Sequence, residues 1–267
     1  MDTSELASRA AALRALHHGD RMLVLPNAWD VASARAVETA GFPVVATSSG
    51  AVSATLGYAD GEAMPAGDAF AAVARMARAV GVPVTADIEA GYGLEPGEVV
   101  RRLLEAGAVG CNLEDTDHRA GGLVPPERHA ALVAAVKEHG RAAGVDVVVN
   151  ARVDVFIRSA EPPAALFDDG VERAEAYLAA GADCVYPIGL ADEALIARFV
   201  EAVAAPVNII VRTGAPSLAR LAELGVARAS LAGGLFREVM TLLGERLDGI
   251  AADAAGATRQ SPADGVP

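Results

Sequence analysis

A short pattern recurs along this chain, in which a helical stretch ends at a glycine and a β-branched run follows. Its copies are ETAGFPVVAT, RAVGVPVTAD, EAGAVGCNLE, AAGVDVVVNA, AAGADCVYPI and ELGVARASLA. A glycine just beyond a helix can adopt a positive φ and end the helix. A short Val- and Ile-rich run indicates a strand that is buried on both faces. Because consecutive parallel strands need helical crossovers, the pattern predicts a series of βα units.

Two further apolar runs complete a set of eight predicted strands, at 22–26, 44–48, 84–88, 109–114, 146–152, 183–188, 207–212 and 227–231. An additional N-terminal helix is predicted at 4–17. Eight units favour an α/β fold of the (β/α)8 TIM-barrel type over an open doubly wound sheet. The core would consist of Ala, Val and Leu, because 52% of the residues are hydrophobic and only 4% are aromatic. One barrel domain over 1–250 is expected, followed by a flexible tail at 251–267, where apolar periodicity ends.

Charge and cysteine content restrict the partners and the compartment. A net charge of −13 argues against nucleic acid as a partner. No apolar run approaches the ~20 residues that span a bilayer, and the N-terminus carries no apolar signal block. Cys111 and Cys184 both fall in predicted strands, which indicates buried core thiols in a cytoplasmic protein.

Three carboxylates follow neighbouring predicted strands. Asp87 and Glu89 end the third strand two residues apart, and Glu114 ends the fourth. Residues two apart on a strand share a face, so these side chains are expected to meet at one end of the barrel. Converging carboxylates repel unless they share a cation, and hard oxygen ligands suit Mg²⁺ or Mn²⁺. The alternative is that they are rim acids that pair with basic residues or cap helices.

Other polar residues follow neighbouring strands at the same end. Arg152 ends the fifth strand and suits a substrate carboxylate, or alternatively a structural salt bridge to Glu114 or Asp154. Ser48, Ser49 and Gly50 offer hydroxyls and close backbone N–H groups to an anion, although such turns are common. Asp60, on the loop beyond, is either a group that supports the metal or an ordinary turn residue. Long strand-to-helix connections at Ser49–Pro65 and 115–126 are candidate lids.

The segments SSGAVSATLGYAD, TADIEAGYG, NLED and NARVD, in this order, resemble the isocitrate lyase/phosphoenolpyruvate mutase superfamily over Leu25 to Leu247. The resemblance implies Mg²⁺-dependent barrels that act on C–C or P–C bonds of small 2-oxo or 2-hydroxy acids. It also implies homotetramers, built as dimers of dimers, in which the last helix swaps between barrels. Asp87 matches the main metal ligand, and Glu89 and Glu114 match acids that hold the metal, often through water.

The remaining matches concern the substrate. Ser48, Ser49 and Gly50 match the segment that binds the substrate carboxylate and keto oxygen, and Arg152 matches the arginine that contacts the substrate anion. Asp60 matches a gating-loop aspartate, and Asn208 a carboxylate-binding asparagine of the lyase branch.

The lid departs from this pattern. After Glu114 it is DTDHRAGGLVPPE, without the cysteine of the lyases or the lysine of the mutases. His118, or Arg119, could replace the missing proton donor. The expected catalytic groups are therefore Arg152, Asp60, Glu114 and His118. The leading hypothesis is a Mg²⁺-dependent lyase that cleaves a C–C bond through an enolate. The alternatives are P–C chemistry on phosphonopyruvate and a 2-oxo acid binding protein with degraded catalysis.

Overall fold

The glycine-terminated helices form a ring around parallel strands in the computed structural model, which describes residues 1–256. Of the six glycines that end the repeats, five have φ between 79° and 101° (Gly41, Gly107, Gly144, Gly181 and Gly225), whereas Gly81 does not have a positive φ. The strands are Leu23–Leu25 (β1), Asn27–Ala28 (β2), Val45–Thr47 (β3), Val84–Asp87 (β4), Gly110–Leu113 (β5), Val148–Arg152 (β6), Cys184–Tyr186 (β7), Asn208–Ile210 (β8) and Arg228–Ser230 (β9).

The strands close into a barrel, and each except β2 falls within a predicted one; β2 lies just beyond the strand predicted at 22–26. β1 and β2 together form the first barrel strand, interrupted at Pro26, which has no N–H to donate to a neighbouring strand. β1 pairs with β9, which pairs with β8, while β2 begins the parallel series β2-β3-β4-β5-β6-β7. A parallel bridge between Val185 and Val207 joins β7 to the start of β8. The fold is therefore a closed (β/α)8 barrel, as the sequence predicted.

The helices are Thr3–Leu16 (α1), Val31–Thr39 (α2), Ser49–Leu56 (α3), Ala66–Ala77 (α4), Pro96–Glu105 (α5), Pro126–Ala142 (α6), Val155–Arg158 (α7), Phe167–Ala179 (α8), Glu193–Val203 (α9), Leu218–Glu223 (α10) and Gly234–Gly256 (α11). The connection predicted at Ser49–Pro65 begins with α3, because Ser48 caps that helix by accepting from the Ala51 N–H at 3.4 Å. α11 continues past the domain boundary predicted at 250, and residues 257–267 lie outside the described part of the chain.

α1 covers the amino-terminal end of the barrel. Leu13 is fully buried, and a Cβ added at Gly110 would lie 2.7 Å from its Cδ2 atom, so the strand beneath the helix needs a glycine. With this end covered, the opposite end of the barrel is left for chemistry. Cys111 and Cys184 are buried free thiols, as predicted. Within residues 1–256, no helix combines the length and apolar character that crossing a membrane requires.

Candidate active site

A cavity of about 740 Å³ opens at the carboxyl-terminal ends of the strands. Most of the residues that the sequence predicted as site residues line it: Ser48, Ser49, Gly50, Asp60, Asp87, Glu89, Glu114, His118 and Arg152. Barrel enzymes carry their chemistry at this end because the strand ends and the following loops converge there. The structure therefore brings the predicted acids and Arg152 to one cavity.

Asp87 is the last residue of β4 and is fixed on one side only. Its backbone N–H donates to Thr47 Oγ1 at 2.8 Å, and its Oδ2 accepts from the Ser49 N–H at 3.0 Å and the Ser49 hydroxyl at 2.8 Å. Its Oδ1 is buried and has no hydrogen-bond partner among the described residues. A buried carboxylate oxygen without a partner is costly unless a cation, a proton or water satisfies it. Asp87 therefore holds one oxygen ready for an added ligand.

The segment Ser48–Gly50 supports Asp87. The Ser49 N–H and hydroxyl both donate to Asp87, so in this structure they orient the carboxylate rather than point free into the cavity. A Cβ added at Gly50 would lie 3.1 Å from Asp60 Oδ2, so glycine allows the Asp60 carboxylate to approach α3. Asp60 thus lies in the cavity wall, on the loop that follows α3.

Glu89 lies beyond the end of β4, at a φ of 51°. The prediction that Glu89 shares a strand face with Asp87 therefore fails, because the strand ends before Glu89. A left-handed turn brings the Glu89 side chain to the cavity instead. Its Oε1 accepts from the Tyr92 hydroxyl at 3.0 Å, and its Oε2 from the Glu62 N–H at 2.5 Å. Burial raises the pKa of Glu89, and the negative charges of Asp60 and Asp87 act in the same direction. Positive φ at a non-glycine residue stores strain of the kind found at functional sites.

Glu114 contacts the predicted lid. His118 Nε2 lies 3.0 Å from Glu114 Oε2, and the side chain of His118 is only 9% exposed. The lid is a tight turn closed by a bridge between Thr116 and Leu123. Burial raises the pKa of Glu114 to about 7, against the opposite effect of Arg152 and His118. The hydrogen bond to Glu114 raises the pKa of His118 and so favours the protonated imidazole in the lid.

Arg152 is held by two carboxylates. Asp154 accepts from its Nε at 2.8 Å and from its NH2 at 2.9 Å, and Glu114 pairs with its NH1. Asp154 is fully buried. A planar guanidinium that is hydrogen-bonded along two edges has little rotational freedom, so its direction relative to the cavity is fixed.

The acids do not form a preassembled cage for a metal. Among residues 1–256, no group of three His, Cys, Asp or Glu side chains converges closely enough to ligate one ion directly. Glu89 and Glu114 are occupied by hydrogen bonds and by Arg152, whereas Asp87 Oδ1 has no partner. One direct carboxylate ligand with two acids nearby fits Mg²⁺, which keeps several of its waters. The donor set therefore fits a hydrated divalent ion on Asp87, with Glu89 and Glu114 reached through water.

The structure corrects the position of Asn208, which the sequence assigned to substrate binding. Asn208 is fully buried at the start of β8, where its side chain donates to Ser230 Oγ at 3.3 Å, and it does not line the cavity. The first residue of a barrel strand lies below the rim, because the carboxyl ends of the strands form the mouth.

Sequence reasoning missed two arginines of the cavity wall. Arg158 ends α7, and Arg237 lies in the first turn of α11. The salt bridge that the sequence offered as the alternative for Arg152 is present, with both Glu114 and Asp154. No local signal was available for Arg158 or Arg237, because their positions depend on how the helices pack around the mouth.

The family model of phosphoenolpyruvate phosphomutase matches residues 13–251. The 2-methylisocitrate lyase of Bacillus subtilis is 30% identical over 230 residues, which cover 83% of this chain and 69% of that enzyme. An oxaloacetate decarboxylase of Rhodopseudomonas palustris is 30% identical over 224 residues, or 81% of this chain and 73% of that enzyme. The crystal structure of a candidate phosphonomutase from Burkholderia cenocepacia superposes with a TM-score of 0.85 at 40% identity, covering 90% of this chain and 99% of that one.

Proposed function

Because this chain belongs to the isocitrate lyase/phosphoenolpyruvate mutase superfamily of enzymes, we propose that it is a Mg²⁺- or Mn²⁺-dependent lyase of small 2-oxo or 2-hydroxy acids. The observation that carries the proposal concerns Asp87, whose carboxylate faces the same cavity as Arg152. Its Oδ1 has no hydrogen-bond partner within residues 1–256. The Asp87 carboxylate can bind a cation. That cation and the fixed guanidinium of Arg152 can together hold a substrate carboxylate between them. The names of the two enzyme relatives, a lyase and a decarboxylase, support C–C bond cleavage as the reaction class.

Each residue has a distinct role in this proposal. A divalent ion on Asp87 would polarise the 2-oxygen of the substrate and stabilise the enolate that cleavage leaves. Arg152 binds the substrate carboxylate, and Asp154 fixes its direction. Ser49 holds the Asp87 carboxylate in its rotamer through two hydrogen bonds. Asp60, on the loop beside Gly50, and the lid limit the access of water to the cavity.

His118 is the proposed proton donor. It replaces the cysteine or lysine that the sequence lacks in this lid, and its imidazole already contacts Glu114 at the cavity. The hydrogen bond to Glu114 raises the pKa of His118 and so favours its protonated form, which can give a proton to the enolate carbon. Glu114 holds the ring in place and stabilises its protonated form.

The decisive experiment is a panel of 2-oxo and 2-hydroxy acids, assayed for release of pyruvate, glyoxylate, CO₂ and phosphate, with and without EDTA. We expect C–C cleavage that EDTA abolishes and that D87N reduces by roughly 10²-fold or more. Phosphate or phosphoenolpyruvate from phosphonopyruvate would instead select P–C chemistry. Metal-dependent binding without turnover across the panel would select the binding-protein alternative.

We also propose that the chain forms homo-oligomers through α11. This helix exposes a row of large apolar side chains, each 46–63% accessible: Val239, Met240, Leu242, Leu243, Leu247 and Ile250. Monomers rarely leave such a continuous apolar face in water, and a second copy of the chain supplies the same face in return. Light scattering should give an oligomer for the wild type and for D248K, and a smaller species for L243E/L247E. A monomeric wild type would refute this.

A further inference from the structure

The loop between α3 and α4, which carries Asp60, is held in place by one residue. Within residues 1–256, every hydrogen bond of the segment 59–64 is made by Glu62. Its backbone N–H donates to Glu89 Oε2 at 2.5 Å, and its Oε1 accepts from the Tyr92 N–H at 2.5 Å. Glu62 therefore joins the Asp60 loop to the turn that follows β4.

The backbone is strained on both sides of this contact. Glu62, Glu89 and Tyr92 have φ values of 60°, 51° and 58°, and they are three of the five non-glycine residues with positive φ in the described part of the chain. Such conformations persist only where the surrounding contacts hold them. The contacts here depend on one another, because the Tyr92 hydroxyl also donates to Glu89 Oε1 at 3.0 Å. Removing one of them should let both turns relax.

The contact made by Glu62 fixes groups on several sides of the cavity. Both carboxylate oxygens of Glu89 accept hydrogen bonds within it, so it sets the orientation of that side chain. Asp60 lines the cavity two residues before Glu62. A Cβ added at Gly61 would lie 3.4 Å from His118 Nδ1, so the same loop also packs against the lid histidine. Glu62 itself does not line the cavity.

We propose that Glu62 is a positioning residue for the metal site. Its carboxylate holds the Asp60 loop on the turn after β4 and so orients Glu89 towards an ion on Asp87. This inference rests on the proposed function, in which Glu89 reaches a hydrated divalent ion through water. Because Glu62 lies outside the cavity lining, it acts through Glu89 and not on the substrate. Partners that orient metal-holding side chains typically contribute about 10–100-fold to metal affinity.

The acceptor oxygen of Glu62, and not its charge, performs this role. The Tyr92 N–H needs an acceptor at the distance that a glutamate side chain reaches. Glutamine supplies the same acceptor oxygen without the charge, and its amide can stay hydrated because Glu62 is half-buried. Aspartate keeps the charge but is one methylene too short. E62Q and E62D therefore separate the hydrogen bond from the charge.

The test is Mn²⁺ binding to the full chain, followed by electron paramagnetic resonance. We expect E62D to weaken Mn²⁺ binding by about tenfold or more. E62Q should stay within about threefold of the wild type, since a neutral acceptor makes a weaker bond than a charged one. Hydrogen–deuterium exchange of the Tyr92 amide, measured in a peptide covering 89–94, should be faster in E62D and unchanged in E62Q.

E95Q is the matched control. It removes one carboxylate from the connection between β4 and α5, where the Glu95 side chain caps no helix N–H and does not line the cavity. E95Q should match the wild type in Mn²⁺ affinity and in Tyr92 amide exchange. E62A, which removes the carboxylate altogether, should repeat the loss seen in E62D and takes its place if E62D does not fold. Thermal unfolding checks the fold of each variant.

Wild-type Mn²⁺ affinity in E62D and E62A would overturn the positioning role and leave the proposed function intact. A loss in E62Q as large as that in E62D would do the same, because the charge would then matter and not the hydrogen bond. Weakened binding that appears only where the variant is globally unfolded would reduce Glu62 to a residue that stabilises the fold. A wild type that binds no Mn²⁺ would overturn the proposed function, and this inference with it.

Discussion

Replacing Asp154 by asparagine should loosen Arg152 without changing the size of either side chain appreciably. In the wild type the Asp154 carboxylate accepts from Arg152 Nε and NH2 at 2.8 and 2.9 Å, and also from the Thr116 hydroxyl. An asparagine keeps one acceptor oxygen and turns an NH₂ group towards one of these donors. The variant therefore loses the charge of the pair and sets a donor against a donor in a buried site.

The size of the effect follows from burial. Asp154 is fully buried and Arg152 is 8% exposed, so water cannot replace the lost partner. Removing one partner of a buried ion pair costs about 3–5 kcal/mol, and the lower end applies because Glu114 still pairs with Arg152. For a chain of this length, about 3 kcal/mol lowers the Tm by roughly 6–12 °C. If the guanidinium shifts by about 1 Å, kcat/KM falls by roughly 10²-fold.

Thermal unfolding by circular dichroism and steady-state kinetics on the substrate found by the panel measure both effects. D169N is the matched control, because Asp169 accepts from Arg173 Nε at 2.9 Å but is 48% exposed and lies outside the cavity. That exposed pair should contribute less than about 1 kcal/mol and leave kcat/KM unchanged. A D154N variant that unfolds within about 2 °C of the wild type and keeps its kcat/KM would refute the argument that Asp154 orients Arg152.

Three further outcomes are expected. D87N should weaken Mn²⁺ binding, followed by electron paramagnetic resonance, by at least about 10–100-fold. It neutralises the carboxylate whose Oδ1 has no partner among the described residues, and unchanged affinity would exclude Asp87 as a ligand. H118N should lower kcat by about 10²–10⁴-fold. The wild-type rate should decline as the pH rises through the raised pKa of His118, and H118N should not show this decline. H139N, at an exposed position, should match the wild type. Acid should destabilise the fold through His17 and His129, since burial lowers each pKa from 6.5 to about 4. The neutral form of each histidine contributes about 3 kcal/mol to the free energy of unfolding. This contribution is complete above pH 6.5 and is lost as the pH falls towards 4. Urea midpoints that do not fall across this pH range would contradict the prediction.

The positions of the acids were predictable because they follow from strand ends. Asp87 is the last residue of β4 and Glu114 directly follows β5, within one residue of the predicted strand ends. The parallel order of the strands brings these ends to one mouth. The lid residue His118 was also assigned correctly to the cavity, because the loop that carries it joins a strand end. Its role as proton donor remains a prediction.

The sequence by itself determined the βα repeats, the barrel and the acidic rim, since these depend on local periodicity and on which residues end the strands. Only the tertiary structure decided which acids have partners. Glu89 accepts from the Tyr92 hydroxyl and the Glu62 N–H, whereas Asp87 Oδ1 has no partner in the part of the chain that the structure describes. Only the tertiary structure brought Arg158 and Arg237 into the cavity wall. Pairing and convergence depend on the closure of the barrel and on helix packing, which bring together residues that are distant in the chain and that no local pattern relates.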